Sequence, residues 1–169
     1  QNKATQYYEE LKQLSTTNDN MEIQIRRAKA LFNLVSDFGE TDQNKATQYY
    51  EELKQLSTTN DNMEIQIERA KSMLVFLMLH NTQRQEAEQK RGKEFYRLAF
   101  DALVLIRANI TKKEEVELFV LTCRFVVGSS RSDGQLELEQ MQSEANNDEE
   151  LIEALVKRAF EICEARMGK

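Results

Sequence analysis

Proline is absent from this chain of 169 residues, and glycine occurs only five times. These two residues interrupt helices and build tight turns most effectively, so their scarcity removes the usual signals of a strand-rich fold. The apolar residues recur at three- and four-residue spacing, which is typical of amphipathic helices. The sequence therefore predicts an all-α fold, a compact multi-helix domain of about seven to eight helices.

Histidine occurs once, at His80, and cysteine only at Cys123 and Cys163. A Ser-His-Asp, Cys-His or metal site would need that one histidine, and no second His or Cys lies at metal-ligand spacing from it. The scattered glycines exclude a glycine-rich phosphate loop. We therefore expect no enzyme activity, no metal and no cofactor. Both cysteines lie among apolar residues and are interpreted as buried, although a disulfide between them stays open.

Long apolar runs are also missing from the sequence. The longest, Met73–Leu79, is far too short to cross a bilayer, and the amino terminus shows no signal-peptide pattern. The net charge of −6 disfavours nucleic acid as a partner, because phosphate backbones repel an acidic surface. These features predict a cytoplasmic protein that does not enter a membrane.

The amino-terminal part of the chain contains a repeat. The 25 residues QNKATQYYEELKQLSTTNDNMEIQI begin at Gln1 and return unchanged at Gln43. The copies then differ at Arg26 and Glu68, agree over three more residues and diverge completely. In each copy the apolar spacing, interrupted by STTND, predicts a helical hairpin. A recent natural tandem duplication and a deliberate one both stay open as its origin, and identical surfaces favour exchange between chains, so dimerisation stays open too.

The continuation of each copy leads to a prediction of domain organisation. The 42-residue offset is similar to the period of two-helix solenoid units, although two copies are fewer than such arrays usually need. The second copy continues with an all-apolar stretch, Met73–Leu79, whereas Ala30–Phe38 in the first copy keeps polar positions. A helix that is apolar all round must be enclosed. We therefore predict that residues 43–169 form the main helical domain with Met73–Leu79 sealed inside, and that residues 1–42 form a peripheral extension.

The carboxy-terminal half predicts further helices. Thr111 with Glu114 resembles a capping box that opens a segment containing Val116–Val127, whose β-branched residues leave helix and strand both open. Asn147 or Asp148 is predicted to cap the last helix. The helical spacing predicts that this helix turns seven apolar residues inward: Leu151, Ile152, Leu155, Val156, Ala159, Phe160 and Cys163.

Two groups of residues are candidates for partner contacts. One is a basic run at the polar start of a helix, where acidic residues interleave with Arg84, Lys90, Arg91, Lys93 and Arg97. The other is the pair Tyr7 and Tyr8, because tyrosine is enriched at contact surfaces as well as in cores.

The main functional hypothesis is a non-enzymatic helical protein-interaction or scaffold module that binds a protein partner or a second copy of itself. Two alternatives stay open. The first is a nucleic-acid-binding helical protein that uses the basic helix at residues 84–97. The second is a carrier of a small apolar ligand, with a cavity between Met73–Leu79 and Phe119–Val127.

Overall fold

The computed structural model describes residues 2–83 and 93–168, and within these ranges it contains eight α-helices and no strand. The prediction of an all-α fold is confirmed, and Val116–Val127 lies in a helix. In chain order the helices are α1 (Asn2–Thr17), α2 (Met21–Phe38), α3 (Gln43–Thr59), α4 (Met63–Gln83), α5 (Lys93–Ala108), α6 (Lys113–Ser129), α7 (Gly134–Glu144) and α8 (Asp148–Arg166).

Side-chain caps explain where several helices begin. The Oδ1 atom of Asn147 accepts a hydrogen bond from the backbone N–H of Glu150 at 2.9 Å, so of the two predicted caps of α8, Asn147 and Asp148, the cap is Asn147. α6 begins one residue later than predicted, and only the glutamate half of a capping box is present, because Lys112 at the N-cap has no side-chain acceptor. Glu115, rather than Glu114, accepts the backbone N–H of Thr111 at 3.0 Å, because the residue before the helix is Lys112 and Glu115 is therefore the third helical residue.

The chain divides into two compact units, Gln1–Leu79 and His80–Lys169. Both copies of the repeat belong to the first unit, whereas the sequence-based boundary lies between them at residue 42. The reason is the position of α2, which packs against both α1 and α3. Their buried apolar side chains form one cluster that includes Tyr8, Leu34 and Leu53.

The predicted burial of the two diverging stretches is wrong. In Ala30–Phe38, which the sequence places at an edge, Leu31, Leu34 and Val35 are completely buried. In Met73–Leu79, which the sequence places inside, only Leu74 is completely buried and the other six residues are half-buried. Helical spacing identifies the apolar side of a helix, but the number of neighbours decides its burial, and α2 has a helix on each side.

One interhelical contact recurs in both copies of the repeat. Nη1 of Arg27 donates a hydrogen bond to Oγ of Ser15 at 3.5 Å, and Nη1 of Arg69 donates one to Oγ of Ser57 at 2.9 Å. The same residue pair therefore joins α1 to α2 and α3 to α4.

In the second unit, α8 packs against α5, α6 and α7, and α7 also packs against α6. Leu103, Val126 and Leu155 lie at the centre of this packing and are almost completely buried. The end of α6 and the start of α7 approach closely, because a Cβ atom at Gly134 would overlap the backbone carbonyl of Gly128. Glycine at position 134 is therefore a steric requirement of this junction.

Candidate interaction surface

The two tyrosines predicted as partner contacts lie in different environments. The side chain of Tyr7 is exposed on α1, whereas Tyr8 is completely buried. The Tyr8 hydroxyl donates a hydrogen bond to Glu52 at 2.6 Å, and burial is the main cause that raises the pKa of Tyr8 far above its ordinary value. Tyr8 therefore belongs to the core of the first unit, and only Tyr7 is available to a partner.

The basic run is described only in part. Lys93 and Arg97 are exposed on the first two turns of α5, four residues apart, so their side chains share one side of the helix. Arg84, Lys90 and Arg91 lie outside the described residues. The grouping of all five basic residues on one surface therefore stays a prediction.

A groove of about 630 Å³ runs along α8 in the second unit. Ile152, Val156 and Phe160 form its apolar wall, and Phe119 of α6 also lines it. Their four-residue spacing stacks the three α8 side chains along one side of the helix, over about 12 Å at 1.5 Å per residue. Ile152 is 38% exposed, and Val156 and Phe160 are half-buried, so this apolar row is partly open to water.

Aromatic contacts hold the end of the groove in place. The ring of Phe160 meets the ring of Phe100 edge to face, with centroids 5.6 Å apart, and lies 6.4 Å from the ring of Phe119. The guanidinium group of Arg107 lies 5.3 Å from the centroid of Phe160. Such edge-to-face and cation–π contacts restrict the orientation of Phe160, so this part of the groove is preformed.

Charged side chains of both signs surround the apolar wall. Arg107 and Lys157 supply the basic groups, and Glu153, Glu161 and Glu164 supply the acidic ones. The groove therefore combines an apolar strip with a charged margin, the arrangement typical of surfaces that bind another protein.

The sequence pattern assigned the residues of this groove to the core. Leu155, Ala159 and Cys163 of the predicted inward set are completely buried, but Ile152, Val156 and Phe160 are exposed or half-buried in the groove. The signal that could have found the groove is the width of the apolar stripe on α8. This stripe comprises two adjacent rows of apolar side chains, and α5, α6 and α7 bury only one of these rows.

The other reactive groups of the described residues include carboxylates and two thiols. No group of three or more His, Cys, Asp or Glu side chains among residues 2–83 and 93–168 is arranged to hold a metal ion. Cys123 and Cys163 are free and buried, and burial raises the pKa of each thiol to about 12. In the part of the chain that the structure describes, no helix has the length and apolar character needed to span a membrane.

Comparison with protein-family models, with curated proteins and with solved structures finds no match to this chain.

Proposed function

We propose that this protein is a helical protein-interaction module whose groove along α8 receives an amphipathic helix of a partner protein. The observation that supports this proposal best is the row Ile152, Val156 and Phe160, an apolar row partly open to water on a helix whose neighbouring row is buried. Exposed apolar strips with a charged margin are favoured sites for such partners.

The dimensions of the groove suit a helical ligand. Its apolar wall extends over about two helical turns, which matches a partner that presents anchors at positions i, i+4 and i+7. Three carboxylates and two basic groups form the margin. We therefore expect basic residues beside the apolar anchors of the partner, because opposite charges at the rim favour association.

Selection of helix-forming peptides on the 169-residue protein tests the proposal. Enriched peptides should carry apolar residues at helical spacing with Lys or Arg beside them. Their affinity, measured by fluorescence anisotropy, should fall about tenfold or more in the variant Ile152→Asp, because a carboxylate in the apolar wall must be desolvated on binding.

The matched control is Leu121→Asp, which introduces the same charge at an exposed apolar residue of α6 outside the groove. This variant should bind the selected peptides like the unmodified protein. Peptides that bind both variants equally well, or a selection without any enriched helical peptide, would contradict the proposal.

We also propose a reducing compartment, the cytoplasm, for this protein. Two free cysteines in the interior support this assignment, because unpaired thiols persist where disulfides are kept reduced. The two alternative functions stay predictions. The stretches that would enclose an apolar ligand, Met73–Leu79 and Phe119–Val127, belong to different units of the chain.

A further inference from the structure

The repeat allows two helices of identical sequence, α1 and α3, to be compared within one chain. Residues 1–17 and 43–59 have the same sequence, so any difference in burial between α1 and α3 comes from their surroundings. Leu56 of α3 is 6% exposed, whereas its equivalent in α1, Leu14, is 48% exposed. Tyr7 is likewise more exposed than its equivalent Tyr49. The face that is covered on α3 is therefore open on α1.

The structure shows what covers this face on α3. The hydroxyl group of Tyr8 and Nζ of Lys12, both on α1, lie 2.6 Å and 3.3 Å from the carboxylate of Glu52. The ring of Tyr49 meets Tyr8 edge to face and stacks on Phe38 of α2. The partner that this face accepts is thus a pair of helices that presents a tyrosine, a lysine and apolar side chains.

The second copy carries equivalents of the residues that cover this face. Lys54 on α3 is the equivalent of Lys12. Tyr50 is the equivalent of Tyr8 but is itself buried, and its hydroxyl group donates a hydrogen bond to Sδ of Met73 at 3.3 Å. The equivalent of Leu31 on α4 is Met73, which is half-buried where Leu31 is completely buried. The side chain of Lys54 is 38% exposed, and its only described ion pair is a contact with Glu51 of the same helix at 3.5 Å.

We propose that two chains associate head to tail, with the open face of α1 of one chain, formed by Ala4, Tyr7, Glu10 and Leu14, against the surface that Lys54 and Met73 form on a second copy. This contact would repeat between chains the packing that joins the two copies within one chain. In the contact between chains, Glu10 has the position that Glu52 has in the contact within one chain. Lys54 of the second copy likewise has the position of Lys12, so the two surfaces carry opposite charges.

The proposed contact is heterologous, because the two surfaces differ and each chain keeps one of each. Association therefore builds an open row of chains rather than a closed dimer. It is also weak. The exposed positions Arg26, Asn33 and Asp37 of α2 are polar, and they limit the apolar area beside the α1 face. This proposal is independent of the groove on α8, which lies in the other unit.

Sedimentation velocity on the 169-residue protein tests the proposal, at concentrations from about 10 µM to about 1 mM to cover weak contacts of small area. The weight-average sedimentation coefficient should rise with concentration. Glu10→Lys alone and Lys54→Glu alone should each lower the association constant about tenfold or more, because each places like charges opposite one another. An equimolar mixture of the two variants should restore association, since opposite charges then meet in every mixed contact.

The matched control is Glu9→Lys, which makes the same charge change on α1. Glu9 is equivalent to Glu51, which is exposed and pairs with Lys54 of its own helix. This variant should associate like the unmodified protein, and Ile152→Asp should too. The proposal is overturned if the protein stays monomeric at every concentration, or if Glu10→Lys and Lys54→Glu associate as strongly as the unmodified protein. It is also overturned if the mixture of these two variants does not regain association, or if Glu9→Lys lowers the association constant equally. Circular dichroism confirms that each variant is folded.

Discussion

Position 26 and its equivalent, position 68, lie in different environments. Arg26 is exposed and forms an ion pair with Glu22 one turn earlier, at 3.0 Å. Glu68 is buried and forms an ion pair with Lys71 at 3.1 Å, and Nζ of Lys71 lies 4.6 Å from the ring centroid of Phe32 on α2. A second cation at position 68 would leave two buried positive charges beside one another.

Exchanging these two residues one at a time measures that difference. Glu68→Arg should lower the free energy of unfolding by about 3 kcal/mol or more, because it removes one partner of a buried ion pair. Arg26→Glu should cost about 1 kcal/mol or less, since it replaces an exposed pair with an exposed repulsion. Urea unfolding followed by circular dichroism gives both values. Equal losses would show that position 68 is not buried in the native protein.

The two thiols provide a second test at this scale. Burial raises the pKa of Cys123 and of Cys163 to about 12, and the nearby Cys163 adds to the effect on Cys123. Because the thiolate is the reactive form, alkylation of the native protein at pH 8 should be about a thousandfold slower than in denaturant, where a thiol titrates near pH 8.5.

The pH dependence has a definite sign. A raised pKa keeps the proton on the thiol, so the native rate should still increase with pH above 9, where an ordinary thiol levels off. Mass spectrometry after timed iodoacetamide treatment follows both sites separately. A plateau near pH 9 in the native protein would contradict the burial of these side chains.

At the scale of helices, apolar spacing and capping residues predict that a helix exists and that it is an α-helix, because spacing and capping are local properties of the sequence. The boundaries depend on neighbours as well. The start of α6 shifts by one residue from its prediction because Glu115, which is buried, occupies the position that accepts the backbone N–H groups. The apolar row of α8 that lines the groove was assigned to the core, because spacing alone does not count how many helices pack against α8.

The junction of α6 and α7 gives a prediction at the same scale. Gly134→Ala should destabilise the protein by about 2 kcal/mol, because the added methyl group meets the Gly128 carbonyl and backbone atoms have to move. In Gly39→Ala the atom closest to the methyl group is the end of the Leu79 side chain, which can rotate away, and the nearest backbone atom, the carbonyl oxygen of Val35, is 3.1 Å from it. That control should change stability by about 1 kcal/mol or less, measured by urea unfolding. Similar losses in both variants would argue against the close approach.

For the whole molecule, the division at residue 79 places one core in each unit. Leu53 and Leu155 are completely buried, one in each unit. Truncation to alanine should cost about 2–5 kcal/mol at either position. Hydrogen exchange read by mass spectrometry should show faster exchange in α1–α3 for Leu53→Ala and in α5–α8 for Leu155→Ala. Faster exchange throughout the chain in both variants would mean that the units unfold together.

The sequence by itself determined the helical class and limited the cap of α8 to Asn147 or Asp148, because helix propensity, capping and apolar periodicity act over a few neighbouring residues. Only the tertiary structure decided that both copies share one unit, that Ala30–Phe38 is central and that one apolar row of α8 is left uncovered. These features depend on which helices pack together, and burial is the sum of contacts from residues distant in the chain. Identical sequences in α1 and α3 show this directly, since Leu14 is open to water and Leu56 is buried.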